Sequence, residues 1–380
     1  MKYILVINSG SATLKFKVFD FVNLKEIMSG IVERIGLPGS FIEIKKEKLK
    51  IQNNSAVSNH EQALRLVLGK LLTYNLKLET ITLVGHRVVH GGEEFTKPTL
   101  VAKETLKKLA KYDKLSPLHN PANLMGIRAC QKFLPQAKNI AVFDTGFYST
   151  LPDYAYTYAI PIDFYKKHAI RRYGFHGISH EYVANETARI FKKPLAKLNL
   201  ITCHLGSGAS ITAIRGGRAV DTSMGFTPLE GLAMSTRSGD LDPAIPLYLI
   251  RELKLSPQEV DNILNKKSGL LGLSGFSDMR DVLTAAGYKV VGFKGKKVSV
   301  EKKKLAKLAL EVFVYRVKKY LGAYGAVLEK VDAIVFTAGI GERNKTVRDL
   351  IMKDVKISGQ PKILAIPTNE ELMIAKKIKR

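Results

Sequence analysis

One short construction occurs twice in this chain, half its length apart, and it limits the folds available. Residues 3–7, Tyr-Ile-Leu-Val-Ile, lead into Asn8-Ser9-Gly10-Ser11-Ala12-Thr13 and then into the apolar-patterned residues 14–19. Residues 198–203 lead in the same way into His204-Leu205-Gly206-Ser207-Gly208-Ala209-Ser210, followed by residues 211–214. Each copy reads as an apolar strand, a tight Gly/Ser turn and a returning strand. Glycine lets backbone N–H groups come close to a ligand, and Ser and Thr add hydroxyl donors. A third Gly-containing turn, Ala338-Gly339-Ile340-Gly341-Glu342, follows the strand pattern of residues 333–337. Any one of these turns read alone is an ordinary hairpin. Together they point to a duplicated fold with anion-binding turns, whose natural occupant is a nucleotide carrying several phosphates. The GxxxxGK[ST] pattern is missing, so a P-loop is excluded.

At 380 residues the chain is too long for a single ordinary core. Strand and helix patterns alternate throughout, which argues for an α/β protein. Residues 63–72 and 300–328 have helical spacing, the latter through Leu305, Leu308, Val312 and Tyr315. Asn120-Pro121 reads as N-cap and first helical residue, and Ser256 with Glu259 as a capping box. The domain boundary is expected near residues 147–152, between the two copies. No apolar run approaches the ~18 residues of a membrane span. The start resembles a signal peptide, but its apolar stretch ends at Asn8, short of the ~7 to 15 residues such a segment needs, and it reads as a core strand. Cys130 and Cys203 cannot build a disulfide framework, which suits the reducing cytoplasm.

The net charge of +26 raises nucleic acid as a partner. The basic residues, however, are mostly Lys spread along the chain, and the groups at 45–48 and 302–304 lack interleaved aromatics. A solvated Lys surface that helps attract anionic substrates is the favoured reading.

Dense groups of Arg, His, Asp and Gly interrupt the apolar pattern. Residues 85–92, Gly-His-Arg-Val-Val-His-Gly-Gly, place Arg87 where it either captures an oxyanion with its planar fork or forms a surface salt bridge. The pairs His86/His90 and His176/His180 lack HExxH spacing and nearby Cys, which disfavours zinc. Asp144 ends a strand, as a functional acid or as a turn-forming residue. Residues 173–180 carry His176 either as a donor to a charged transition state or within a capped turn. The richest stretch, residues 221–243, has too many Gly, Ser, Thr, Asp and Arg residues for a core and is favoured as a site over a solvated loop.

With these motifs in order, the chain resembles the acetokinase family of the acetate and sugar kinase superfamily. The likeness runs almost end to end, through residues 8–15, 85–92, 118–121, 143–145, 173–180, 221–243, 336–342 and 367–372. It implies two actin-like (ribonuclease H-like) α/β domains around a nucleotide cleft. Their expected bounds are 1–147 with the terminal helix 368–380, and 148–367. The implied reaction is reversible, in-line phosphoryl transfer from ATP to acetate, giving acetyl phosphate and ADP, with Mg²⁺ or Mn²⁺ in a cytoplasmic homodimer.

By the same resemblance, Asn8 and Glu370 hold the metal and Lys15 meets the phosphates. Arg87 and Arg237 bind acetate and the transferring group, with His176 supporting its charge and His119 and His204 nearby. Asp144 matches the family's essential acid; because acetate is already ionised at neutral pH, orienting Arg87 or the metal shell is at least as plausible for it as acting as a base. The implied nucleotide residues are His204, Leu205, Gly206, Ser207, Gly208, Asp278, Met279, Arg280, Gly339, Ile340, Gly341, Glu342 and Arg343. The substrate methyl is expected near Val89, Leu118, Phe175 and Pro228. Ser207 and Arg343 each stand where the family usually has Asn, and Tyr148 where it usually has His. A sister kinase for propionate or butyrate is the first alternative. A nucleic-acid-binding protein on a kinase-derived scaffold is the second.

Overall fold

A computed structural model describes residues 1–46, 49–116 and 119–379. The chain divides into two compact units, the first made of residues 1–149, 177–179 and 369–380 and the second of residues 150–176 and 180–368.

The first unit is built on an eight-stranded mixed sheet. Strands β1 (Tyr3–Ser9), β2 (Thr13–Asp20), β3 (Glu26–Glu33), β4 (Phe41–Lys46) and β5 (Leu49–Asn54) form an antiparallel meander. β6 (Ile81–Val88) runs parallel to β1, and β8 (Lys138–Phe143) runs parallel to β6. The two-residue β7 (Thr99–Leu100) pairs antiparallel with β8. Alternation along β2 buries Leu14, Phe16 and Val18 in a core shared with Leu64, Val67, Leu68 and Leu71 of the helix His60–Thr73. The terminal helix Glu370–Ile378 packs on the same sheet because Gly85 has no side chain. A Cβ there would lie 2.6 Å from Ile374 and 2.8 Å from Ile378.

The second unit repeats the arrangement in a five-stranded sheet. β9 (Asn199–Leu205), β10 (Ala209–Arg215) and β11 (Arg218–Thr222) are antiparallel. β12 (Ala333–Thr337) runs parallel to β9, and β13 (Lys362–Ala365) runs parallel to β12. The hairpin β9–β10 with its parallel neighbour β12 therefore mirrors β1–β2 with β6, as the duplicated sequence construction requires. The strands β9, β10 and β12 are almost wholly buried, which explains their continuous apolar runs.

Three local expectations change. Helix Asn120–Phe133 is capped from His119, and Asn120 is its first residue. The Asn120 side chain instead brackets His90, accepting from its N–H and donating to its carbonyl, each at 3.0 Å. The third Gly turn is a short helix, Ala338–Arg343, entered through Ala338 at φ +61°. Along helix Val300–Leu328 the buried stripe is Ala306, Ala309, Leu310, Phe313, Val317 and Leu321. Leu305, Leu308 and Tyr315 are exposed. The sequence holds two interleaved apolar stripes there, and the one with small alanines faces the core. The Ser256–Glu259 capping box forms as expected, with Glu259 N–H donating to Ser256 Oγ at 3.2 Å and Ser256 N–H to Glu259 Oε2 at 2.8 Å.

Candidate active site

In the first unit, three neighbouring parallel strands deliver polar groups from their C-terminal ends. Asn8 lies near the end of β1, Arg87 near the end of β6, and Asp144 directly after β8. α/β sheets gather functional groups at this edge. Arg87 Nε donates to Asp144 Oδ1 at 3.2 Å, and a second Arg87 nitrogen donates to Asp144 Oδ2. Arg87 Nη1 donates to Asn8 Oδ1 at 3.3 Å, and Glu370 Oε2 lies 3.4 Å from Arg87 Nε. Burial opposes the Arg87 charge, but the carboxylates of Asp144 and Glu370 outweigh it, so the guanidinium is held more firmly protonated than usual. These partners do not use all of its N–H donors, so Arg87 keeps capacity for an oxyanion.

Asn123 and Lys17, which motif reasoning passed over, support this cluster together with Thr145, Asn369 and Glu371 of the motifs. Asn123 accepts from Val89 N–H at 3.0 Å and donates to the Ser9 carbonyl at 2.6 Å, tying the segment after β6 to the first Gly/Ser turn. Thr145 Oγ1 accepts from Gly91 N–H at 3.2 Å. Lys17 reaches Asn369 at 2.9 Å and Glu371 at 3.6 Å, anchoring the start of the helix that carries Glu370. The signal for Asn123 was its spacing from Asn120: both are buried on the otherwise apolar inner face of a helix. Lys15 is exposed on β2, opposite Asn8 in the register. His119 belongs to this unit, at the helix N-cap. Val89 is buried. Leu118 lies outside the described residues. His86 is buried against Asn139 at 2.8 Å, and burial lowers the imidazoles of both His86 and His90 to about 4.

The second unit gathers histidines around one hydroxyl. Ser210 Oγ lies 2.9 Å from His176 Nδ1 and 2.8 Å from His180 Nε2, while His180 Nδ1 lies 2.7 Å from Thr202 Oγ1. Burial pushes His180 well below the ordinary imidazole range, so it is a neutral support. His176 stacks on His204, with ring centroids 4.2 Å apart, and has φ +58°, an uncommon conformation for a residue with a side chain.

Gly208 opens a space in front of this cluster. A Cβ there would lie 3.4 Å from His176 Nε2 and 3.5 Å from Arg237 Nη1, so both groups face one small volume. Arg237 donates to the Pro228 carbonyl at 3.3 Å, and among the described residues no carboxylate pairs with it. Burial lowers its pKa, so the charge is held at a cost that an arriving anion would relieve. Phe175 is buried in the same unit.

A cavity of about 830 Å³ adjoins this space. Gly206, Ser207, Gly208, Arg237, Asp278, Met279, Arg280, Gly339, Ile340 and Arg343 line it, as do Ser235 and Thr236 of the stretch 221–243 and the unforeseen Ser277, Val290, Val291 and Asn344. His204, Leu205 and Gly341 are buried, and all three lie outside the lining. Glu342 pairs with Arg343 at 3.2 Å. The Asp278 carboxylate caps the helix Met279–Ala285 through Arg280 N–H at 2.8 Å and also binds the Arg280 guanidinium. Such a volume suits a small cofactor or nucleotide.

Residues 3–361 match the Acetokinase family. The chain belongs to that family. An acetate kinase of Caldicellulosiruptor bescii is 46% identical, with 99% of this chain and 98% of that protein covered. The acetate kinase of Porphyromonas gingivalis has a crystal structure that superposes with a TM-score of 0.87 at 37% identity, covering 99% of this chain and 98% of that one. A propionate kinase of Francisella tularensis superposes at 0.90, with 40% identity and 99% of both chains covered. The family's α/β architecture thus accounts for both mixed sheets.

Proposed function

We propose that this enzyme transfers the γ-phosphoryl group of ATP to acetate, reversibly, giving acetyl phosphate and ADP. The observation that carries the reading is the space at Gly208. There an uncompensated guanidinium and an imidazole face one volume beside a nucleotide-sized cavity. A carboxylate oxygen of acetate attacks the γ-phosphorus as the bond to the β–γ bridging oxygen breaks, and ADP leaves with that electron pair. The acceptor is already an anion at neutral pH, so no proton has to be removed. The protein's work is positioning and dispersing charge on the phosphoryl oxygens.

Arg237 and His176 would meet those oxygens, with Ser210 and His180 fixing the imidazole. Arg87 would take the acetate carboxylate while Asp144 holds its guanidinium in orientation. The apolar neighbours of the methyl group would be Val89, Phe175 and Pro228. Asn8 and Glu370 offer hard oxygen donors, both beside Arg87. Among the described residues no group of three or more His, Cys, Asp or Glu could form an all-protein metal cage. This donor set fits Mg²⁺, which favours one or two protein oxygens with water and phosphate completing its shell. When bound, the cation would neutralise part of the phosphate charge.

We further place the enzyme in the cytoplasm as a homodimer. Exposed Tyr154, Leu247 and Tyr248 offer apolar surface for a partner copy, and Cys130 and Cys203 are unpaired. Among the described residues no helix is long and apolar enough to cross a membrane. The likeness to a propionate kinase supports a longer acid as the second reading. A hydroxamate assay for the acyl phosphate, run with acetate, propionate and butyrate, with and without Mg²⁺, tests both. No product from any acid would end the kinase reading.

A further inference from the structure

Residues 287–299 join the helices Met279–Ala285 and Val300–Leu328 as a strap along the second unit's cavity. Two bends shape it, at Gly287 with φ +95° and Gly292 with φ +71°. Both values lie in the left-handed region that glycine tolerates. The strap is pinned at its start, where Tyr288 N–H donates to the Leu283 carbonyl at 2.9 Å. It is pinned again where the Arg280 guanidinium lies 4.9 Å from the Phe293 ring centroid, within cation–π range. Gly295 passes so close to Thr284 that a Cβ would lie 2.5 Å from the Thr284 Cβ.

Between these pins, Val290 and Val291 line the cavity, and Val291 is 93% exposed. A valine so exposed contributes nothing to the core, yet it stands on the wall of the cavity beside Asp278 and Arg280. The Asp278 carboxylate is already engaged by Arg280, at 2.6 Å and 3.1 Å. Ligand sites of this size are lined mainly by apolar surface, with a few polar groups for orientation.

We propose that the strap is the base-contacting wall of the nucleotide site, with Val290 and Val291 packing against the face of the base. The proposal rests on the kinase reading above and assigns that site a specificity segment. Its mode is apolar contact, so it acts on the base and leaves the phosphates to the Gly206–Gly208 turn.

The test uses the full chain, titrated by calorimetry with ADP and separately with inorganic tripolyphosphate, which has no base. Val291→Ser is the first variant, since so exposed a side chain can be replaced without disturbing the fold. Val290→Ser/Val291→Ser is the second. ADP binding is expected to weaken by about fivefold in the single variant and further in the double, from loss of buried methyl groups. Tripolyphosphate binding should stay within about twofold of the parent. Unchanged ADP affinity in both variants overturns the proposal. Equal weakening of both ligands also overturns it, because the strap would then act on the phosphates. A parent that neither binds ADP nor makes acetyl phosphate removes the kinase reading and the strap with it.

Discussion

Replacing Gly208 with alanine tests the space between His176 and Arg237 directly. The new methyl carbon would lie 3.3 Å from His176 Cε1, 3.4 Å from Nε2 and 3.5 Å from Arg237 Nη1. An oxygen bonded to either donor needs to approach within about 2.7 to 2.9 Å, so methyl and phosphoryl oxygen compete for one place. Losing one hydrogen bond to a charged group costs about 1.5 to 3 kcal/mol. At ~1.4 kcal/mol per factor of ten, kcat/KM for acetyl phosphate formation should fall about 10- to 150-fold. The backbone itself should accept the change, because Gly208 is not among the residues with positive φ. The melting temperature should therefore stay within about 1 °C of the parent, a shift of under ~1 kcal/mol for a chain of this size. The assay pairs hydroxamate kinetics with a thermal melt. A variant with unchanged melting and kcat/KM within about threefold of the parent would refute the assignment of this space to the transferring group.

Arg87→Lys keeps the charge but loses the planar fork, and kcat/KM for acetate should drop at least about tenfold. Asp144→Asn should lower activity and weaken the acetate or Mg²⁺ response; an acidic limb of kcat against pH that vanishes in this variant, with both responses intact, would instead mark Asp144 as a proton carrier. Arg237→Met should abolish measurable transfer while leaving the melting temperature equal to or above the parent's, since it removes an uncompensated half-buried charge; a large drop in melting temperature would contradict that electrostatic reading. Stability should fall on acidification: His86 and His90 have folded values lowered to about 4 from 6.5, so the unfolded chain binds more protons in between. The stabilisation is complete above about pH 6.5 and is lost as pH falls toward 4, on the order of a few kcal/mol per group, and thermal melts across that range check it.

The duplicated hairpins and their parallel neighbours were legible because a buried strand needs a continuous apolar run and a tight turn needs glycine. While Asn8 was reached through the family resemblance, Arg87 and Asp144 could be singled out, since charged residues at strand ends break that pattern. Their mutual bonds could not, because strand order is a long-range property: β6 inserts between β1 and β8 only in the folded sheet. The helix Val300–Leu328 misled for a different reason. Periodicity finds an apolar stripe, but where two exist the choice depends on how closely the helix approaches its sheet, and Ala306 and Ala309 decided it. The strap at 287–299 carried no motif at all. Its apolar residues follow neither period, and only their position beside the cavity gives them meaning.

The two arginines assigned to catalysis are in opposite electrostatic states, and this follows from what each must do. Arg87 is surrounded by Asp144, Glu370 and Asn8, so its charge is largely balanced and its orientation fixed. A guanidinium so balanced attracts a monoanionic carboxylate weakly and directionally, which suits a small substrate that must be released as readily as it is bound. Arg237 has a backbone carbonyl and the Met234 sulfur for company, and its charge is opposed by burial. In such surroundings a multiply charged phosphoryl group feels a nearly unscreened cation. Charge that builds on the equatorial oxygens during transfer is stabilised most where the partner charge has been least neutralised beforehand. Adding a carboxylate near Arg237 would therefore improve its resting stability and blunt its action on the transition state.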